Sequence, residues 1–391
     1  MRSEFLSKRF RIFILGAGFS RPAGLPLASE LWEEVLRRAR GMSGRASFFV
    51  DDLNEYIEFR RRCYGDTLDP NQVDFEDFMA FLDVEHYLGL RGKDTWSTDG
   101  NEGQVVVKTL IGEILTERTP ARDEIPELYL KFARLLQPTD IVLTFNYDVL
   151  LERALESIRL PFRLFPSRLG SVDDSRDFAS VDMTKEELVL LKLHGSVDWF
   201  DRSFYSTLDA NFLQQGSSHH PTHPVFNPSS PLNIAPLIDG PCFKNDPLRQ
   251  MYRVLDIEKL YDKGILFHAT PSLLNPSSVK ILYSKMLRDF WWGLGASGIL
   301  NFGMVIIGFS MPQQDDYARQ VLYRPVTNYQ ENYWEHGELN HKKTPLLLID
   351  FRTSPEHQQQ YRHRYAFVDW SRAQLHFGGL DDEALSLIRA T

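Results

Sequence analysis

Cysteine is nearly absent from this chain: its 391 residues include two, Cys63 and Cys242, far apart in sequence. Two thiols cannot build a four-cysteine zinc site, and they give no disulfide framework. A basic surplus is missing as well. Lys and Arg total 44 against 53 Asp and Glu, a net charge of −9, so the whole-chain field does not attract nucleic acid. No apolar run reaches the ~18–20 residues of a membrane span. The opening residues, Met1-Arg2-Ser3-Glu4-Phe5, lack the extended apolar core of a signal peptide. Neither an internal repeat nor a long low-complexity tract is visible. These absences lead us to expect a cytoplasmic, soluble protein with no membrane partner, no structural zinc and no direct contact with nucleic acid.

What is present fits an ordinary globular chain, with 43% hydrophobic and 25% charged residues. Five short apolar runs are continuous rather than alternating, the pattern of strands buried on both faces of a parallel sheet. They cover residues 11–15, 140–145, 188–193, 304–307 and 346–349. We therefore expect an α/β fold with a Rossmann-like parallel sheet, forming a single domain over residues 1–391. The interval 31–137 is too long for a simple crossover. It carries helical spacing, including the stripe Phe75, Phe78, Met79 and Leu82, and is expected to be a helical insertion packed beside the sheet. Residues 201–298 are expected to be an excursion. Its first part, 201–264, is rich in Pro, Ser, His and Asn and reads as irregular; residues 279–294 read as a helix. The basic runs Arg37-Arg38-Ala39-Arg40 and Arg60-Arg61-Arg62 read as solvated helix faces. The cluster His219-His220-Pro221-Thr222-His223 lacks zinc-site spacing and reads as a loop. Trp291-Trp292 reads as core or interface.

Each apolar run ends in a turn of polar or glycine residues, and in an open α/β sheet ligands bind at the carboxyl ends of the strands. One shared site is implied. The first turn, Gly16-Ala17-Gly18, stands between a strand and a helix that reads as capped by Ser29. Glycines there let backbone amides approach oxygen anions, and a helix N-terminus favours negative charge. The spacing is not the G-x-G-x-x-G of ordinary dehydrogenases.

Extended by Phe19-Ser20 and by Gly24-Leu25-Pro26, this turn resembles the first motif of the sirtuin family. Four later strand ends resemble further sirtuin motifs in the same order: Thr144-Phe145-Asn146-Tyr147-Asp148, His194-Gly195, Gly308-Phe309-Ser310 and Ile349-Asp350. Together they cover the Rossmann-like core. Two departures stand out. The four-cysteine zinc module of sirtuin deacylases is missing, and the G-L-P turn continues Leu27-Ala28-Ser29 where a deacylase has D-F-R. The pattern is more similar to the sirtuin-like proteins of bacterial anti-phage defence, which hydrolyse NAD and often work with a HerA-type ATPase.

That resemblance implies an NAD+ hydrolase releasing ADP-ribose and nicotinamide, with NAD as substrate, acting in defence by cofactor depletion. It also implies a homo-oligomer or a complex with a HerA-type ATPase. Nicotinamide is a good leaving group, so the chemistry needs geometry, a positioned water and a base more than a strong acid. Asn146 and His194 are the candidate catalytic pair: Asn146 to hold a ribose hydroxyl or the water, His194 to take a proton, since histidine titrates near neutrality. Ser20 and the backbone at Gly16, Ala17, Gly18 and Phe19 would hold pyrophosphate. Asp148 would grip the nicotinamide carboxamide. Gly308 and Ser310 would close on phosphate or the adenosine ribose, and Asp350 would accept ribose hydroxyls. Plainer readings stay open. Asn146 and Asp148 also suit a turn that starts the next helix; His194 also suits a hydrogen-bonded core; Arg21 reaches either a phosphate or a neighbouring acid. A binding or assembly subunit that holds NAD or ADP-ribose without turnover, or a nuclease subunit of an ATPase complex, is the alternative class of function.

Overall fold

The computed structural model describes residues 10–42, 47–90, 100–216, 219–221, 223–262, 269–274, 290, 298–311, 316–336 and 341–391. Its centre is a seven-stranded sheet: β1 Arg11–Leu15, β2 Ile141–Thr144, β3 Phe162–Arg163, β4 Leu188–Lys192, β5 Gly303–Ile307, β6 Leu346–Ile349 and β7 Ala373–His376. The spatial order is β7-β6-β5-β1-β2-β4-β3, and every pairing is parallel. Helices on the faces explain the continuous apolar runs, for β5 and β6 are buried at every residue. From β1 the chain passes through β2 to β3 at the edge, fills the gap between them with β4, then returns to the other side of β1 with β5. The strand order therefore reverses between β1 and β5.

The five expected strands all appear, with ends shifted by at most one residue. Two more, β3 and β7, escaped the sequence reading. β3 has two residues, and β7 (Ala-Gln-Leu-His) is an edge strand whose polar residues break the apolar run. The expected cap of the first long helix also needs correction. That helix is Ala28–Ala39, and its N-cap is Leu27, whose amide donates to Glu30 Oε2 at 2.9 Å. Ser29 lies in the first turn, and Glu30, the third helical residue, accepts the N-cap amide, which is the carboxylate half of a capping box.

Between β1 and β2 run the helices Ala28–Ala39, Phe48–Tyr64, Phe75–Leu88, Glu102–Arg118 and Glu127–Leu135. Their apolar faces join the core of the sheet in one continuous cluster. Trp32 stacks on Phe75 at 4.8 Å and meets Phe49 and Phe78 edge-on or tilted. The basic runs on these helices are ion-paired at the surface, Arg38 with Glu34 and Glu117, Arg61 and Arg62 with Glu58.

The described residues between 199 and 262 are more regular than their composition predicts. Strands Trp199–Asp201, Met251–Val254 and Ile234–Pro236 form an antiparallel sheet, flanked by helix Ser203–Gln214. Phe200, Tyr205, Val225, Phe226, Leu232, Val254 and Leu260 fill a small core of their own. Strands of three or four residues are too short to show a period, so the polar residues between them dominated the reading. In the histidine-rich loop, His223 Nδ1 accepts the amides of Val225 and Phe226 at 3.1 Å, and His220 pairs with Asp209 at 2.7 Å. Among the described residues no group of His, Cys, Asp and Glu is placed to hold a metal. The helix expected at 279–294 and the pair Trp291-Trp292 lie outside the described residues, Phe290 excepted. Among the described residues, no helix is long and apolar enough to cross a membrane.

The amino ends of the strands are closed by polar staples. Asp140, fully buried, accepts the Arg11 amide at 2.9 Å and the Arg11 guanidinium at 2.7 Å. Lys343, 1% exposed, shares its three ammonium hydrogens among four carbonyls, Gly298, Ile299 and Asn332 at 2.8 Å and Tyr329 at 3.2 Å. Burial lowers its pKa to about 8.

Candidate functional site

At the carboxyl ends, the sheet order sets the turns of β6, β5, β1, β2 and β4 side by side. At about 4.8 Å per strand they span roughly 19 Å. The centre of this row is the reversal point between β1 and β5, where open α/β sheets form their ligand crevice.

The two glycine turns at that point pack backbone against backbone. Gly18 donates to the Gly308 carbonyl at 2.9 Å, and Gly16 to the Ile307 carbonyl at 3.0 Å. Gly308 has φ +63°, and a Cβ there would lie 2.2 Å from the Phe19 nitrogen. Glycine is thus required by the contact of turn with turn. Phe19 donates its amide to Gly16 O, so the amides of Gly16, Gly18 and Phe19 already have protein acceptors. This narrows the set the turn offers to an anion. Residues 17–20 form a single helical turn. The Phe19 ring is buried against Tyr129 and Phe132, and the Tyr129 hydroxyl donates to Phe19 O at 2.8 Å while accepting the Ala23 amide. Burial raises the Tyr129 pKa, which keeps it a neutral donor. Arg21 is paired with Glu30 at 2.7 Å, the plainer of its two readings.

The β1 and β2 turns are joined by a chain of hydrogen bonds. Ser20 Oγ lies 2.9 Å from Asp148 Oδ2, and Asn146 Nδ2 lies 3.2 Å from Ser20 Oγ and 3.0 Å from Gly16 O. A carboxylate only accepts, so the Ser20 hydroxyl donates to Asp148 and accepts from Asn146. Both amide hydrogens of Asn146 are then used, and its Oδ1 is the atom left to accept from something else. Asp148 Oδ1 meanwhile accepts the Leu150 amide at 3.0 Å at the start of helix Leu150–Ile158. The helix-starting role and the network role therefore coexist in one residue. All three side chains are buried.

His194, 7% exposed, packs edge-on against Phe145 at 4.9 Å. Phe145 also stacks on Phe309 at 4.4 Å. A single ring therefore ties together the turns after β2, β4 and β5. Gly195, with φ +79°, comes so close to Ser272 that a Cβ would meet its carbonyl at 1.9 Å, and Leu274 donates to His194 O at 2.9 Å.

The remaining candidates sit farther along the row. The Ser310 carbonyl accepts from Arg364 at 3.3 Å. Asp350 accepts the Phe351 amide at 2.6 Å and pairs with Arg352 at 3.2 Å. Burial raises its pKa, and the nearby arginines oppose that. Asp350 follows β6, two strands from β1, and is not part of the Asn146–Ser20–Asp148 chain.

Sequence reasoning missed the charges beneath the site. Lys192, the last residue of β4, is fully buried and donates to Glu152 Oε1 at 2.7 Å and to the Asp148 carbonyl. Behind it, Asp198 accepts from Ser196 Oγ at 2.5 Å and from Arg253 Nε at 2.9 Å. Burial works to raise the Asp198 pKa, but Arg253, Lys192 and the Ser196 hydroxyl together hold it below the usual 3.8. Burial pushes the Glu152 carboxyl up against the opposing pull of Lys192. The available signal was a lysine closing the otherwise apolar run Leu-Val-Leu-Leu-Lys. The rings of Phe145 and Phe309 were also missed, since an aromatic inside a turn motif reads as filler.

Comparison with protein families matches residues 140–225 to the SIR2-like domain. No curated protein matches the chain. Similar solved structures include a complex of a Sir2 homologue with NAD, at 14% identity, covering 100% of this chain and 94% of that one, with a TM-score of 0.36. A mutant Sir2 homologue with ADP-ribose is 13% identical, covers 100% and 97%, and has a TM-score of 0.36. A sirtuin from a study of substrate affinity is 12% identical, covers 99% and 96%, and has a TM-score of 0.32.

Proposed function

We propose that the protein is an NAD+ hydrolase whose site is the row of turns at the carboxyl ends of β1, β2, β4, β5 and β6. The observation that carries this reading is the Asp148–Ser20–Asn146 chain. It fixes a neutral amide beside the strand-order reversal and leaves the Asn146 Oδ1 to accept a hydrogen bond from a ribose hydroxyl or a water. The match of residues 140–225 to the SIR2-like domain, which contains β2, Asn146, Asp148 and His194, supports it.

In the reaction, the bond between nicotinamide and the ribose carbon breaks, and the pair of electrons leaves with nicotinamide. Water adds to the ribose carbon and loses a proton, giving ADP-ribose. Asn146 orients the ribose or the water, and His194 accepts the proton. A dinucleotide has two nucleotide halves, which suits a site spread over five strands. The pyrophosphate belongs beside the first turn, where residues 16–20 meet Gly308 and Phe309, with Ser310 next in the chain, and the adenosine ribose toward Asp350. Asp148 is assigned the nicotinamide carboxamide. Defence by cofactor depletion in the cytoplasm, homo-oligomerisation and a HerA-type ATPase partner complete the proposal and rest on the motif resemblance.

The test is nicotinamide release from NAD+ by the purified chain, alone and co-expressed with an ATPase partner, with no acylated peptide present. One nicotinamide per ADP-ribose is expected, and His194→Ala should slow release by about a hundredfold or more. Tight binding of NAD without release in every preparation would instead favour a binding subunit. A His194→Ala protein as fast as the parent would remove that residue from the mechanism.

A further inference from the structure

Lys192 has no part in the chemistry described above, yet it lies directly under the residues that do. The β2 and β4 strands are in register at Thr144 and Lys192, so the lysine side chain passes beneath the loop that follows β2. Its ammonium donates to the carbonyl of Asp148 and lies 3.5 Å from that of Tyr147. Asp148 is thereby held at three points: its carbonyl by Lys192, one carboxylate oxygen by the Leu150 amide, the other by Ser20. Ser20 in turn sets the Asn146 amide. On its own strand Lys192 stands two residues before His194, and the intervening Leu193 donates its amide to Thr144 O at 2.8 Å. Both candidate catalytic side chains thus hang from segments that Lys192 pins together.

Stability alone does not account for a lysine here. Its ammonium is fully buried and its neutralising partner, Glu152, is 2% exposed. Removing two ions from water costs about as much as their attraction returns, and well-packed apolar residues of similar volume commonly serve as well or better. The preceding residues of the strand are already Leu-Val-Leu-Leu. An apolar pair would fill the space, but it would not donate to the loop carbonyls.

We propose that Lys192 is a positioning residue for the reaction, its ammonium holding the Tyr147–Asp148 backbone so that Asp148, Ser20 and Asn146 stay in line, while Glu152 serves to neutralise it. This rests on the NAD-hydrolase reading. Glu152, Asp198 and Arg253 extend the same network to the small antiparallel sheet through the Met251–Val254 strand.

The experiment compares the parent with Lys192→Met and with Lys192→Met/Glu152→Leu, reading thermal midpoint, kcat and KM for nicotinamide release, and ADP-ribose affinity by calorimetry. The single variant leaves Glu152 buried without its partner and should melt far below the parent. The double variant should recover a midpoint within about 3 °C of the parent, yet keep a kcat lowered by about a hundredfold, the scale of a small misplacement of reacting groups, with KM changed less than about threefold. A double variant that recovers both midpoint and kcat overturns the proposal, because the lysine would then only balance charge. A double variant that fails to recover its midpoint overturns it too, because the pair would then be structural. Should the parent bind ADP-ribose but release no nicotinamide, the hydrolase reading falls alone. The same comparison is then read as affinity, with a loss of about tenfold or more in the stable double variant expected and no loss overturning the proposal. A parent that neither turns over nor binds overturns both.

Discussion

The two ends of the central sheet each hold a buried lysine, and the two lysines are used differently. At the amino ends, Lys343 gathers four carbonyls from the segments entering β5 and β6, and Arg11 with Asp140 closes the start of β1 and β2. Those polar groups satisfy one another and neighbouring backbone carbonyls. At the carboxyl ends, Lys192 and its carboxylate partner support a loop whose own polar chain ends on an amide oxygen with no amide hydrogen left to give. One end is closed for stability. On the reading proposed above, the other is braced so that the Asn146 Oδ1 remains available. The same parallel topology produces both, because it collects all strand entrances on one side and all exits on the other.

That contrast can be broken at defined places. The largest expected effect is from Gly308→Ala. A Cβ there meets the Phe19 backbone at 2.2 Å in a conformation with φ +63°, and neither backbone can yield without separating the two turns. We expect a loss of about 3 kcal/mol or more, seen as a fall in thermal midpoint, together with loss of nicotinamide release. Lys343→Met comes next. It orphans buried carbonyls and should cost about 2–4 kcal/mol in denaturant unfolding. Because burial lowers the Lys343 pKa from 10.5 to about 8, the charged form is disfavoured in the fold. The lysine's own contribution is fullest above pH 10.5, declines as pH falls from there to about 8 and is level below that, so the penalty of the variant should be smaller at pH 7 than at pH 10. Ser20→Ala should lower nicotinamide release by about tenfold and cost about 1–3 kcal/mol in stability, since it leaves a buried Asp148 oxygen without its donor and frees the Asn146 amide to turn over. The smallest effect is a change in the shape of a pH profile. Asp198 has a pKa below its usual 3.8, so its ionised form stabilises the fold above that value and the gain is lost as pH falls through the lowered one. The stability gap between parent and Asp198→Asn should be flat above about pH 5 and narrow below pH 4.

Much of this architecture was legible in the sequence because buried parallel strands announce themselves as continuous apolar runs. β1 and β6 were read to the residue. The edge strands β3 and β7 were not, for an edge tolerates polar residues and has no run to show. The candidate site was legible as a set of strand-end turns, since Gly16, Asn146, His194, Gly308 and Asp350 each follow such a run. Their joining was not. Whether Ser20 meets Asn146 depends on β1 and β2 being neighbours, which no local pattern states. The Lys192–Glu152 pair was hidden for the same reason: the partners are 40 residues apart and become neighbours only through the sheet. The role of the glycines also changed. Read locally, Gly18 offers an amide to an anion; in the fold it makes room for Gly308.

The most direct test places the two ends of the sheet in one assay. Nicotinamide release per folded molecule would be measured for the parent, Asn146→Ala and Lys343→Met under identical conditions. The account predicts a loss of about a hundredfold or more for Asn146→Ala, with a midpoint close to the parent's, and an unchanged rate for Lys343→Met despite its lower stability. An Asn146→Ala protein that releases nicotinamide as fast as the parent would contradict the assignment of the carboxyl end as the site of NAD hydrolysis.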